Sequence, residues 1–164
     1  MIIGRQHLKD MIYRIDNVFD NERRKDILER SKKYLKSQED FDVKFLPGKQ
    51  TSPRLHTQIS FATEVLQSIK DAVGLDLDIK KSWVNWTNGK KKDVYWHTHN
   101  SHYAAVYYLK TPLPFFSNGT LFEDKFYKAP QNSILLFPGH MRHTAPTSLF
   151  RLDRYSLGME LMKR

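Results

Sequence analysis

The chain has 164 residues, 40% hydrophobic and 13% aromatic, enough apolar material for one domain over residues 1–164 and too much for wholesale disorder. It contains no cysteine, which excludes disulfides, thiolate-held zinc, iron–sulfur clusters and cysteine nucleophiles, so any metal must sit on histidine and oxygen ligands. The net charge of +9 permits an acidic partner such as nucleic acid without demanding one; the tightest lysine cluster, Lys90 to Lys92, is of the kind found on solvated loops.

In chain order, "MIIGRQHLKDMIYR" is too short of apolar residues to be a signal peptide, and the longest uncharged apolar run, Tyr103 to Leu109, is too short to span a bilayer. A cytoplasmic protein with no membrane partner is expected. In "MIYRIDNVF", Ile12, Arg14, Asp16 and Val18 alternate with Tyr13, Ile15, Asn17 and Phe19, the period of a strand. Asp20 or Asn21 caps a charged helix running to about Ser37, which buries Ile27, Leu28, Tyr34 and Leu35. Phe41 to Leu46 is a short strand broken by Pro47-Gly48. A second helix is predicted from about Thr57 to Val73, with Phe61, Val65, Leu66, Ile69, Ala72 and Val73 on one stripe and Gly74 at the C-terminal cap. Both helices are amphipathic and should lie against a sheet.

From Leu77 onward, short aromatic and β-branched runs alternate with turn residues. Strands are predicted at 79–87, 93–99, 102–109, 119–124, 132–137, 143–147 and 153–161. Closely spaced short strands indicate a sandwich or barrel. The expected fold class is mainly β with flanking helices: residues 1–76 form a supporting strand and helix region, and 77–164 form the β core.

Chemistry concentrates in "YWHTHNSHY". Alternate residues on a strand share a face, so His97 and His99 project together about 6–7 Å apart at the backbone, close enough to converge on one metal ion. His143, which opens a strand after the Pro-Gly turn of "SILLFPGHMRH", is the best third ligand; His140 lies within that turn, and His102 is out of phase with the pair. In "RLDRYSLGMEL", Tyr155, Leu157, Met159 and Leu161 form an apolar face, and Arg154, Ser156, Gly158 and Glu160 the opposite one. The polar face either lies in water or points into a barrel. In the second case Arg154 and Ser156 make a clamp for a carboxylate, Gly158 leaves room beside them, and an inward guanidinium demands an anion.

H-x-H, a distant histidine, and Arg-x-Ser eleven residues further on together resemble the Fe(II)/2-oxoglutarate-dependent dioxygenases, in particular their prolyl-hydroxylase-like branch. The resemblance covers about Ser82 to Leu161. It implies a double-stranded β-helix, a jelly roll of cupin type, with the two N-terminal helices packed on its major sheet. It also implies Fe(II), 2-oxoglutarate and O2 as cofactor and cosubstrates, with ascorbate as an accessory reductant. His97, His99 and His143 match the metal positions and Arg154 the arginine for the distal carboxylate of 2-oxoglutarate. Ser156 and Tyr108 match its companions, with Tyr107 facing the opposite side of the sheet. Trp83, Asn85, Trp86, Tyr95 and Trp96 are assigned to the mouth, Asn85 among the cosubstrate contacts. The chain departs from the usual His-x-Asp/Glu pair by placing His99 second, and Glu123 or Asp124 could supply the missing carboxylate. The implied activity is hydroxylation of a peptide or small metabolite, peptidyl proline first, with release of succinate and CO2. The rival readings are a cupin-like metal-binding protein that does not use 2-oxoglutarate, and a basic nucleic-acid-binding module.

Overall fold

The computed structural model describes residues 4–8, 12–37, 48–88, 95–112, 118–145 and 152–164. The strand expected at Phe41–Leu46 lies outside them. The chain opens with β1 (Gly4–Leu8) and β2 (Ile12–Asp16), an antiparallel pair. Helix α1 (Asn21–Ser37) begins where Asp20 Oδ1 accepts the Arg23 backbone N–H at 2.7 Å, a side-chain cap for an otherwise unpaired donor. It buries Ile27, Leu28 and Leu35, with Tyr34 half-buried against the same core.

Strand β3 (Gly48–Gln50) starts at the residue expected to break the chain. A Cβ at Gly48 would collide with the Trp86 carbonyl oxygen, so the glycine is what lets this edge strand close on its neighbour. Helix α2 (Phe61–Val73) starts four residues later than the stripe suggested. The chain before it is tied to the sheet: Leu55–Thr57 form a single 3-10 turn, the Ser82 N–H donates to the Pro53 carbonyl (3.0 Å), and the His56 N–H donates to Ser82 Oγ (2.8 Å). Gly74 closes α2 in the left-handed region at φ 70°, donating to the Lys70 carbonyl.

The remaining strands are β4 (Leu77–Asn88), β5 (Tyr103–Lys110), β6 (Gly119–Phe122), β7 (Phe126–Lys128), β8 (Ile134–Pro138), β9 (His143–Thr144) and β10 (Asp153–Lys163). They form a seven-stranded sheet in the order β1-β2-β8-β5-β10-β4-β3 and a three-stranded sheet in the order β7-β6-β9. Every strand pair is antiparallel. This is a double-stranded β-helix of jelly-roll, cupin-like form with flanking N-terminal helices.

Alternation sorts the side chains of the large sheet. One face carries Val84, Tyr107, Leu157, Met159 and Leu161 into a core shared with Ile27, Leu28, Phe61, Val65 and Ile69 of the helices. The other carries Ala104, Tyr108, Leu135 and Phe137 against Phe122 and Tyr127 of the small sheet. Two layers thus bury the large sheet on both faces, which is why β5 and β8 read as nearly unbroken apolar runs. β7 is invisible in the sequence because three residues, "FYK", are too few to display a period. Among the described residues no helix is long and apolar enough to cross a membrane.

Phe61 is fully buried where α2 meets the sheet. Phe61→Ala is expected to lower the unfolding free energy by about 3–5 kcal/mol, measured by urea denaturation.

Candidate active site

Three imidazoles meet at the open edge between the two sheets, and backbone pairing brings them there. The His97 N–H donates to the His143 carbonyl and the His143 N–H to the His97 carbonyl, both at 3.0 Å, an isolated antiparallel bridge. The His99 N–H donates to the Gly139 carbonyl at 2.8 Å. The described part of the predicted strand 93–99 is therefore not a continuous strand. Its partner β9 is only two residues long, and His99 has already passed on to the Pro138-Gly139 turn. The shared face nevertheless survives: the rings of His97 and His99 lie 5.0 Å apart, those of His97 and His143 4.3 Å, and those of His99 and His143 5.1 Å.

One nitrogen from each of His97, His99 and His143 lies within 4.8 Å of the others. Each ring's Nδ1 faces an oxygen acceptor: the Tyr95 carbonyl for His97 (3.4 Å), Glu160 Oε1 for His99 (3.2 Å) and the Met141 carbonyl for His143 (2.8 Å). A carbonyl cannot donate, so a neutral ring donates from Nδ1 and keeps its lone pair on Nε2. Burial pushes the His143 pKa down to about 3; its bond to Met141 opposes this, and His97 and His99 add to the lowering. Burial lowers that of His99 as well, with Glu160 opposing. Neutral imidazoles with converging lone pairs are what a divalent cation requires.

His102 and His140 stand apart. Both are exposed, and His102 Nδ1 accepts the Lys163 N–H at 3.0 Å. Glu123 and Asp124 are exposed as well, and Glu123 pairs with Arg142, so neither supplies a carboxylate to the cluster. The carboxylate that does approach is Glu160, 6% exposed, on the polar face of β10 that alternation marks out. The face is legible from that alternation; its neighbour His99 is not, because that depends on where a remote loop returns.

A cavity of about 310 Å³ opens beside the imidazoles and continues between the sheets. Arg154, Ser156, Gly158 and Glu160 form one wall, so the polar face of β10 points inward rather than into water. The register lays Ser156 between Asn85 on β4 and Tyr108 on β5. Arg154 is half-buried; its Nε is sealed off and has no hydrogen-bond partner. Its Nη2 donates to the Gly119 carbonyl at 3.4 Å, and its guanidinium carbon lies 5.3 Å from the centre of the Tyr108 ring. Burial holds the Arg154 pKa below its ordinary value, with Tyr108 opposing. Tyr108 is fully buried beneath Arg154, its hydroxyl 2.6 Å from Thr120 Oγ1, and burial raises its pKa. Asn85 lines the cavity with its Oδ1 also unpaired. The Arg154 guanidinium with its orphaned nitrogen fits a carboxylate, the Asn85 oxygen is left for a donor, and three convergent imidazoles fit a divalent metal.

Two expectations about the mouth need correction. Trp83, Asn85 and Tyr95 line the cavity, but Trp86 and Trp96 do not. Trp86 falls on the helix-side face of β4 and donates its Nε1–H to Asp153 at 2.9 Å; Trp96 sits under Arg142. Gly158 also works differently from expectation. A Cβ there would come 2.5 Å from the Trp83 indole, so the space it leaves is already filled by that ring. Thr120 and Lys81, which nothing in the sequence singles out, also line it.

No family model matches the chain, and no curated protein matches it. Among solved structures it is similar to HygX from Streptomyces hygroscopicus with nickel, 2-oxoglutarate and hygromycin B bound, at 13% identity over 92% of this chain and 82% of that one (TM-score 0.68). It is similar to SnoN, a non-heme alpha-ketoglutarate-dependent epimerase from nogalamycin biosynthesis, at 12% identity over 94% and 77% (TM-score 0.72). It is also similar to the viral collagen prolyl hydroxylase of Paramecium Bursaria Chlorella virus-1 in complex with 2OG, at 11% identity over 93% and 96% (TM-score 0.67). These likenesses show that the chain shares the fold of those three structures.

The buried histidines carry a stability consequence. The folded pKa of His143, about 3, lies below its ordinary 6.5, so the unfolded chain takes the proton first and stability falls as pH drops through that window. For metal-free protein, His143 alone is expected to remove about 3 kcal/mol between pH 8 and pH 4. Urea unfolding across that range should show a shallower acid slope in His143→Gln.

Proposed function

We propose that this protein is an Fe(II)- and 2-oxoglutarate-dependent oxygenase and that its substrate is a peptidyl proline. The observation that carries the reading is a single cavity holding both a sealed, unpartnered guanidinium nitrogen on Arg154 and the converging nitrogens of His97, His99 and His143. A metal-binding protein without a dicarboxylate cosubstrate has no use for that buried cation.

His97, His99 and His143 would hold the metal through Nε2, each ring oriented by its Nδ1 contact. Iron bound there with 2-oxoglutarate and O2 would supply oxidative decarboxylation of the cosubstrate to succinate and CO2, coupled to hydroxylation of the substrate. Arg154 would take the distal carboxylate of 2-oxoglutarate, with Ser156 and Asn85 as polar neighbours. Tyr108 would act from beneath, its ring face supporting the guanidinium and its hydroxyl held by Thr120. Ala104, Val106 and the Trp83 ring form apolar walls that keep bulk water from the reacting atoms.

The choice of peptidyl proline rests on overall proportions. The chain spans 96% of the viral collagen prolyl hydroxylase and 94% of a prolyl-4-hydroxylase from Pseudomonas putida, against 82% of HygX and 77% of SnoN. The similarity thus takes in nearly the whole of two prolyl hydroxylases and less of HygX and SnoN.

Anaerobic protein with Fe(II) is expected to develop a visible charge-transfer absorption on adding 2-oxoglutarate. Arg154→Ala removes two or more charge-assisted bonds of about 1.5–3 kcal/mol each, so the 2-oxoglutarate needed should rise at least ~100-fold. Arg154→Lys should recover only part of this, since an ammonium lacks the planar fork. In air with ascorbate, proline-containing peptides should raise succinate release above that with a panel of small metabolites. No absorption band in the wild type would favour metal binding without 2-oxoglutarate. Salt-sensitive binding of DNA or RNA without succinate would favour the nucleic-acid module.

A further inference from the structure

Three neutral imidazoles leave a bound divalent cation with its full double charge, where a carboxylate ligand would have removed one unit. Among the described residues, Glu160 is an acid that touches the cluster, through His99. Its side chain is 8% exposed, that of His99 is 11% exposed, and the two meet through Oε1 and Nδ1 at 3.2 Å. The bulged register of β10 sets Glu160 across from Lys81 on β4 and Ala104 on β5. Ala104 is small and leaves the neighbouring space to side chains from other strands. The Trp83 ring bounds His99 on another side, 5.8 Å from its centre. The second carboxylate oxygen, Oε2, has no hydrogen bond and lies 3.5 Å from Lys81 Nζ, whose side chain is half exposed. Glu160 therefore has one strong commitment, to the histidine that stands where a carboxylate ligand was expected.

We propose that Glu160 is the positioning residue of the three-histidine centre. It holds His99 as the Nδ1–H tautomer, so that Nε2 presents its lone pair to the metal. It also places one negative charge a single hydrogen bond away from a cation whose direct ligands carry none. The acid has moved from contact with the metal to contact with its ligand, and part of its electrostatic effect is kept. Carboxylates in that position raise the basicity of the imidazole and fix its orientation, and losing one typically costs about 10–100-fold in metal affinity. This rests on the metal-centre part of the proposed function and not on the substrate.

The test is metal binding itself. Co(II) is titrated anaerobically into metal-free protein, followed by calorimetry and by its visible ligand-field absorption. Glu160→Gln is nearly isosteric and keeps an acceptor for the His99 N–H but removes the charge; it should weaken Co(II) binding about tenfold with little change in thermal unfolding. Glu160→Ala removes both and should approach a loss of about a hundredfold. Nitrogen-15 NMR of the imidazoles should find His99 as the Nδ1–H tautomer in the wild type and in Glu160→Gln alike, and as a tautomer mixture in Glu160→Ala. Wild-type affinity in both variants, or an unchanged tautomer in Glu160→Ala, overturns the assignment to Glu160 while leaving the metal centre standing. Failure of the wild type to bind Co(II) overturns the centre and the role of Glu160 with it.

Discussion

The site depends on a pair of reciprocal backbone hydrogen bonds. His97 and His143 lie far apart in sequence, and each donates its N–H to the other's carbonyl at 3.0 Å. Once that bridge forms, both side chains emerge from opposed positions of one antiparallel pair, where Cβ atoms are about 4.5–5.5 Å apart. The pairing brings their rings to 4.3 Å. His99 follows because its own N–H is taken by Gly139, in the turn that leads back to His143. The geometry of the cluster is thus set by main-chain bonds that involve no metal. A site prepared in this way loses less conformational entropy on binding than one assembled from free side chains.

Electrostatics gives that preparation a direction. Burial keeps His143 and His99 neutral, which suits a cation but costs stability in acid, where the unfolded chain would protonate them. Arg154 presents the opposite problem, a permanent positive charge in a poorly solvated place with one nitrogen unpartnered. Neither feature improves the empty protein. Under the proposed function a divalent cation would relieve the first cost and a dicarboxylate the second, each ligand doing what the other cannot. Glu160 is the exception, since it already has a partner without any ligand.

Legibility in the sequence follows the range of the interactions. Helix α1 and its cap at Asp20 are readable, because a cap and an apolar stripe are local signals. The start of α2 is not, because Leu55–Thr57 form a separate 3-10 turn in which His56 is tied to Ser82 on β4. The alternation of β10 correctly divides Leu157, Met159 and Leu161 from Arg154, Ser156 and Glu160, a local period-two signal. It does not say that Gly158 makes way for Trp83, nor that Glu160 meets His99, since both follow from pairing between distant strands. Trp86 and Trp96 are misplaced against a signal that was local: each lies one residue out of phase with a cavity residue, Asn85 or His97, which already sends it to the opposite side.

Strand β10 joins these separate features. It is an interior strand that pairs with both β5 and β4, and it bears Arg154 near one end and Glu160 near the other. Six residues at about 3.3 Å each separate the two by about 20 Å along the strand, a wall whose charge changes sign from one end to the other. Because the period is two, slipping β10 by one residue would turn Arg154, Ser156 and Glu160 into the helix-side core and Leu157 and Met159 into the cavity. Burying two unpaired charges among Ile27, Phe61 and Ile69 would cost several kcal/mol each. The charges that line the cavity are therefore also what forbids the wrong register, and the apolar face of the same strand enforces it from the other side.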